Sequence, residues 1–145
     1  MIFRLPVVLL FFGVIIHENF AYPEPQAVGV RGRLTCRGKP YYDARITLYD
    51  IDSYLYTDSM NKTSPEMDGN FEISGYTYEK TKIEPMMNIH HSCGINEDMD
   101  GLCYYDFSIA IPNEYIVQGF KVTKFYNAQR LELHRYYPGE KRFCL

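Results

Sequence analysis

Four cysteines are the residues of this chain whose chemistry is easiest to anticipate. Cys36, Cys93, Cys103 and Cys144 follow an apolar leader, and export to an oxidising compartment favours their oxidation to two disulfides. Four cysteines permit three pairings, which spacing alone does not separate. A nine-residue loop makes Cys93 and Cys103 the natural local bridge, which leaves Cys36, at the end of a predicted strand, for Cys144. We expect those two bridges.

The histidines offer little catalytic chemistry. His90 and His91 are adjacent on an apparent strand, so their side chains should point to opposite faces and cannot chelate one ion together. We expect one to face the core and the other the solvent. His134 has no neighbouring nucleophile in sequence, and oxidised cysteines supply no thiol nucleophile. The sequence therefore predicts no metal site, no cofactor and no enzymatic activity.

Two further segments carry polar chemistry. Residues 96–101 imitate the start of a calcium loop, but the twelfth position is Phe107 instead of a bidentate glutamate, and strands flank the segment. A solvated acidic hairpin tip is the favoured interpretation. Asn61-Lys62-Thr63 is a glycosylation sequon in a polar stretch, so Asn61 is a candidate glycan acceptor.

The chain has 14 tyrosines and no tryptophan. Several of them could form an amphipathic contact surface of the kind that recognition sites favour, and packing in the core and turns would explain them equally well. The tyrosines in question are Tyr104, Tyr105, Tyr126, Tyr136 and Tyr137.

The apolar leader predicts export. Arg4 precedes an uncharged run at residues 5–16, long enough for a signal-peptide core but short of the ~20 residues of a membrane span. Ala21 before Tyr22 is a plausible cleavage point. We expect residues 1–21 to be a signal peptide and residues 22–145 to be one secreted domain with no transmembrane span. The net charge of −3 and the scattered basic residues argue against nucleic-acid binding.

Alternation with a period of two recurs along the chain and predicts an all-β fold. Pro85 argues that its strand lies at a sheet edge or a bulge, and residues 112–116 suggest one short helical turn. Seven or so short strands separated by turn residues imply a β-sandwich or small barrel. The predicted strands lie at residues 28–36, 44–49, 70–75, 83–93, 103–111, 122–126 and 130–134.

Several stretches together resemble the nematode transthyretin-like family of small secreted proteins. They lie at residues 27–40, 46–50, 67–75, 83–85, 88–93 and 137–140, with Cys144 after them. The resemblance implies a transthyretin-like, immunoglobulin-type β-sandwich of about seven to eight strands, secretion and no established enzymatic role, and it supports the bridge pairing given above. One departure is the segment 61–66, which replaces a shorter turn.

The related hydroxyisourate hydrolases share this fold and close with a Tyr-Arg-Gly-Ser tail, whereas this chain closes with the unrelated residues 139–145. We therefore expect a non-enzymatic extracellular binding module, the nearest variant of which is a bridging factor between a cell-surface lipid or glycan and a receptor. The alternatives are a carrier of a small apolar ligand and a hydroxyisourate-hydrolase-like enzyme. We expect the partner to be an extracellular protein, lipid or glycan, which the sequence does not identify.

Overall fold

The computed structural model describes residues 22–51, 57–96 and 101–145. The predicted leader lies outside the described residues, as does most of the segment that imitates a calcium loop. Within the described part of the chain, ten strands form two five-stranded sheets. They are β1 Glu24–Cys36, β2 Lys39–Pro40, β3 Ala44–Ile51, β4 Thr57–Thr63, β5 Asn70–Glu79, β6 Pro85–His91, β7 Cys103–Ala110, β8 Val117–Gln118, β9 Tyr126–Glu132 and β10 Lys141–Cys144.

Sheet I is organised around the long strand β1. Residues 24–33 of β1 pair antiparallel with β5, and β2 folds back on the last two residues of β1. The other edge of β1 pairs antiparallel with β8 and parallel with β9. The parallel pair brings β9, near the C-terminal end of the chain, beside the N-terminal strand, whereas the last strand, β10, belongs to the other sheet.

Gly32 lies at an irregularity in the parallel pairing. The register of β1 against β9 shifts between residues 31 and 33, because β9 bulges at Gln129, where φ is +59°. The Gln129 N–H donates to the Asn127 side-chain oxygen at 2.9 Å. A Cβ at Gly32 would lie 2.9 Å from both the Gln129 carbonyl oxygen and the Phe71 ring, so this close approach requires glycine.

Sheet II is antiparallel throughout, in the order β10-β7-β6-β3-β4. β6 is its central strand, so the expectation that Pro85 marks an edge or a bulge is wrong. Pro85 is the first residue of β6, a position at which a strand tolerates the missing N–H.

The core lies between the inner faces of the two sheets. Val28, Val30 and Leu34 of β1 pack in one cluster with Ile46 and the other inward residues of sheet II, as the alternation predicts. The expected β-sandwich is confirmed, and the expected helical turn is the 3-10 turn Asn113–Tyr115. No helix of the described residues has the length and apolar character that a membrane span requires.

The strand predicted at residues 122–126 is wrong. Residues 119–125 form a loop across the outer face of sheet I, and β9 begins only at Tyr126. A Cβ at Gly29 would lie 2.6 Å from the Phe125 ring and 2.9 Å from Val122. The apolar side chains of this segment therefore cover sheet I from outside and do not enter the core.

The expected disulfide pairing is also wrong. Cys36 is bonded to Cys93, and Cys103 is bonded to Cys144. The first bridge joins the two sheets, with Cα atoms 5.9 Å apart. The second is a cross-strand bridge within sheet II, with Cα atoms 4.1 Å apart.

Strand β10 explains the difference. It returns antiparallel along β7 and pairs Cys144 directly with Cys103. β6 ends at His91, and the chain turns at Gly94, where φ is +82°. Cys93 therefore leaves the β6–β7 ladder before it reaches Cys103. β10 is four residues long and exposed throughout, so it has no apolar alternation by which the sequence could reveal it.

Peptide mapping tests the observed pairing. The oxidised chain should give disulfide-linked peptides that join Cys36 to Cys93 and Cys103 to Cys144, and a reduced and alkylated sample should give neither. The intact mass should be lower than that of the reduced chain by the hydrogens of two disulfides. A peptide linking Cys93 to Cys103 would contradict the position of β10.

Candidate functional site

The outer face of sheet II carries a polar groove of about 530 Å³. Its side chains alternate along each strand with those of the core, so the burial of one set directs the other outward. The lining residues are Arg45, Thr47 and Tyr49 of β3, Ser59 and Lys62 of β4, Asn88 and His90 of β6, and Asp106 and Ser108 of β7.

Strand register brings these residues together from distant parts of the sequence. Arg45 pairs with His90, His90 with Asp106, and Asp106 with Lys141, in one row across four strands. The next row runs from Lys62 through Thr47 and Asn88 to Ser108. Cross-strand neighbours have Cβ atoms about 5 Å apart, so each row is a continuous polar surface.

A hydrogen-bond network fixes the floor of the groove. The Asn88 side-chain amide donates to Asp106 Oδ1 at 2.6 Å and to Ser108 Oγ at 3.2 Å. The Tyr49 hydroxyl also donates to Ser108 Oγ, at 3.0 Å. These side chains are held by one another and are therefore organised before any ligand arrives.

Three stacked rings border the groove. The His90 ring lies 4.1 Å from that of Tyr104, and Tyr104 stacks on Phe143 at 5.3 Å between centroids. His90 Nδ1 is 3.6 Å from Asp106 Oδ2. We call these three rings the ring stack. It spans β6, β7 and β10, and the side chain of His90 is 37% exposed.

A second cleft continues the groove toward the other end of the sheet. Its volume is about 420 Å³, and it shares Arg45 and His90 with the first. Ser92, Leu102 and Tyr104 also line it. Both clefts are lined by Arg45 and His90, so they lie side by side on this face of the sheet.

The adjacent histidines lie on opposite faces, as expected. His91 is 1% exposed, and its Nδ1 accepts the Cys93 N–H at 3.2 Å, which leaves the proton on Nε2. That atom lies 3.8 Å from Glu140 Oε1, and neither atom has a hydrogen-bond partner. Burial, with a smaller contribution from His90, lowers the pKa of His91 to about 4, and burial raises the pKa of Glu140.

Glu132 fastens the turn between β1 and β2. Desolvation acts to raise the pKa of this carboxyl, but hydrogen bonds from the N–H groups of Gly38, His134 and Arg37 and from the Thr35 hydroxyl outweigh it and lower the pKa to about 2. Because these partners use both carboxylate oxygens, Glu132 is a structural group. His134, the third histidine considered in the sequence, donates its backbone N–H to Glu132 and lies outside the groove.

The five tyrosines singled out in the sequence do not form one surface. Tyr104 belongs to the ring stack, Tyr105 packs on His91, Tyr126 contacts Tyr115, and Tyr137 stacks on the core residue Phe107 at 4.2 Å. Packing therefore explains most of this set. Tyr136 is exposed.

Asn61 lies on β4 and is exposed, and its amide nitrogen donates to the Ser74 carbonyl oxygen at 2.7 Å. Glycosylation of Asn61 stays a prediction. Among the described residues, no group of three or more His, Cys, Asp and Glu side chains has the geometry of a metal site.

Most groove residues were not singled out in the sequence. Asn88 and Asp106 occupy the outward positions of strands whose inward positions were read correctly, so the same alternation contained the signal. The alternation does not show which residues of neighbouring strands lie side by side, because no local pattern pairs Arg45 with His90 or Asn88 with Ser108.

These features define a small, disulfide-linked, two-sheet β-sandwich with a preformed polar groove on one outer face. A family model described as "TTR-52: Transthyretin-like family" matches residues 31–112. Transthyretin-like protein 5 of Caenorhabditis elegans is 41% identical over 123 residues, which cover 83% of this chain and 85% of that protein. Transthyretin-like protein 2 of the same organism is 34% identical over 128 residues, 83% of each chain. The chain belongs to the transthyretin-like family.

A 9R-lipoxygenase from Cyanothece also resembles the sandwich in a comparison with solved structures. It is 19% identical with a TM-score of 0.40, and the match covers 78% of this chain but 18% of the lipoxygenase. A likeness this weak carries no conclusion about activity or ligand.

The buried His91 predicts acid sensitivity. Its folded pKa of about 4 lies below the ordinary 6.5, so the unfolded chain binds the proton more tightly. The stability that the neutral imidazole contributes is complete above pH 6.5 and is lost as pH falls toward 4, by about 3 kcal/mol. Glu140 acts in the opposite direction, because its folded pKa is raised.

Urea unfolding between pH 7 and 4.5 measures this loss. In a Glu140→Gln background, the free energy of unfolding should decrease as the pH is lowered from 7 to 4.5. A further His91→Phe substitution should remove most of that decrease. The exposed His134→Phe substitution is the matched control and should leave the fall intact. An equal slope with and without His91 would contradict the assignment.

Proposed function

We propose that this protein is a secreted, non-enzymatic binding module whose groove on sheet II holds an extracellular ligand. The observation that carries the proposal is the polar groove, whose floor of Tyr49, Asn88, Asp106 and Ser108 is already hydrogen-bonded. Concave surfaces with a few oriented polar groups are typical binding sites. The two disulfides and the signal-like leader are compatible with secretion.

A second surface on the opposite sheet supports a bridging role. Tyr76, Tyr78 and Phe120 are 49%, 53% and 58% exposed, and their rings contact one another edge-on at 5.0–6.1 Å. We call them the aromatic cluster. Exposed aromatic groups are enriched in protein interfaces. A module with a polar groove on one sheet and the aromatic cluster on the other suits a factor that joins a cell-surface lipid or glycan to a receptor.

The two alternatives have less support. A carrier of a small apolar ligand needs an enclosed apolar cavity, whereas this groove is open and lined by hydroxyl, amide and charged groups. A hydrolase that forms a covalent intermediate needs a nucleophile in contact with a base. Ser108 contacts Tyr49 and Asn88, one row away from His90, so the His90–Asp106 pair has no hydroxyl nucleophile beside it within the described residues.

A groove-filling substitution tests the binding role. The wild-type chain, Thr47→Trp and the matched control Thr123→Trp should be screened against arrays of lipids, glycans and extracellular proteins. Thr47 lies in the groove and Thr123 in the loop over sheet I. A ligand of the groove should bind the wild type and Thr123→Trp equally and bind Thr47→Trp at least about tenfold more weakly, a loss of about 1.4 kcal/mol.

Denaturation curves should first establish that both variants fold. Ligands that bind all three chains alike, or that Thr123→Trp loses as well, would count against the groove as the binding site.

The absence of a hydrolase activity is tested separately. Purified protein should not hydrolyse 5-hydroxyisourate above the spontaneous rate, because residues 139–145 do not supply the Tyr-Arg-Gly-Ser tail with which the hydroxyisourate hydrolases close. Spectrophotometric rates for the wild type, His90→Ala and His134→Ala should coincide with the blank. Saturable turnover that His90→Ala abolishes would overturn the non-enzymatic proposal.

A further inference from the structure

We infer that the groove binds an acidic oligosaccharide, whose carboxylate or sulfate contacts Arg45 and Lys62 and one of whose sugar rings packs on the ring stack. The inference rests on the proposed function, since it names the ligand class of the same groove. Its three supports are unpaired positive charge, a row of hydroxyl and amide groups, and a ring stack that ends in an exposed ring.

The positive charge lies at the β3–β4 end of the groove. Lys62 pairs with Thr47, and Arg45 is the next outward residue of β3, so the two side chains are diagonal neighbours. In the described part of the chain, neither lies within 4 Å of a carboxylate; the ion pairs there involve Lys124, His90 and His91. Two unpaired cations that line one concave surface attract an anion, and the planar guanidinium suits carboxylate or sulfate oxygens.

Hydroxyl and amide groups lie next to the cations. Thr47, Ser108 and Tyr49 supply hydroxyls, and Asn88 supplies an amide. Tyr49 and Asn88 already donate their hydrogens within the groove floor, so they offer acceptor oxygens to a ligand, while the hydroxyls of Thr47 and Ser108 supply donors. Together these groups match sugar hydroxyls, which both donate and accept. Asp106, the carboxylate among the residues that line the groove, lies in the row of Arg45 two strands away, on the far side of His90. Negative charge is therefore favoured at one end of the groove, which suits a mixed acidic and neutral saccharide better than a uniformly charged chain.

The ring stack supplies the apolar contact. Tyr104 lies between His90 and Phe143, at 4.1 and 5.3 Å, and Phe143 is 44% exposed. The C–H face of a sugar packs on an exposed ring such as Phe143, whose position Tyr104 supports, whereas a free inorganic anion gains nothing from it.

The adjoining cleft makes the site longer than one ring. It shares Arg45 and His90 with the groove, so a ligand lying along the sheet contacts both depressions. A peptide of similar length would need pockets for apolar anchors, and the side chains that line the groove are mostly polar. An oligosaccharide therefore fits this surface better.

Titration with defined tetrasaccharides tests the inference. The probes are a chondroitin sulfate tetrasaccharide, a hyaluronan tetrasaccharide with carboxylates alone, and neutral chitotetraose. The purified chain should bind at least one acidic probe saturably and bind chitotetraose at least about tenfold more weakly, as expected for loss of a charge-assisted contact. Comparison of the two acidic probes distinguishes sulfate from carboxylate recognition.

Matched variants locate the site. Arg45→Ala, Arg45→Lys and Lys62→Ala should each weaken binding of the acidic probe by about tenfold. Tyr104→Ser should weaken it as well, and Tyr104→Phe should not. The controls Arg130→Ala and Lys121→Ala remove exposed cations associated with sheet I and should leave affinity unchanged. Circular dichroism and thermal unfolding should establish that each variant folds.

Each other outcome overturns the inference. Equal losses in the sheet I controls mean non-specific charge attraction. Chitotetraose binding as tight as that of the acidic probes removes the role of Arg45 and Lys62. If no tetrasaccharide binds, but Thr47→Trp still loses a lipid or protein ligand found in the screen, the inference fails and the proposed function stands. If Thr47→Trp loses nothing either, both fail.

Discussion

The burial of one face of each sheet is the constraint on which the rest of this molecule depends. Ile46 and Ile89 are fully buried opposite Val30, so the strands that carry them cannot slip by one residue without exposing the core. Such a slip would also turn every groove residue inward. The same strand register therefore buries the core residues and turns the groove residues outward, so the groove keeps its geometry for as long as the core stays packed.

The C-terminal part of the chain adds to this frame in two ways. The parallel pair of β1 and β9 brings Glu132 against the turn after Cys36, where its carboxylate accepts four hydrogen bonds. The bridge between Cys103 and Cys144 then holds β10 against β7. Phe143 would not reach Tyr104 without that strand, so a covalent bond at the sheet edge supports the ring stack beside the groove.

Alternation made the core strands predictable, because burial imposes the same period on sequence and structure. It gave no signal for β10, which is exposed at every position, or for β4, whose residues are polar except for Met60. It misled at residues 122–126, where Val122 and Phe125 are apolar because they cover Gly29 from outside. The predicted disulfide pairing was wrong because β10, which carries Cys144, was not recognised in the sequence. The groove could not be predicted because it depends on strand register, which no local pattern encodes.

The contact between Asn61 and the Ser74 carbonyl has a consequence for how this protein behaves at high concentration. Among the described residues β5 pairs only with β1, and the free edge of a ten-residue strand is a template on which foreign strands and fibrils can grow. Asn61 occupies a carbonyl of that edge, and Met60 lies close against Gly75 beside it, where a Cβ on the glycine would be 2.8 Å away. By lying across this edge, β4 shields an all-β extracellular chain from self-association, and a glycan on Asn61 would extend the shield.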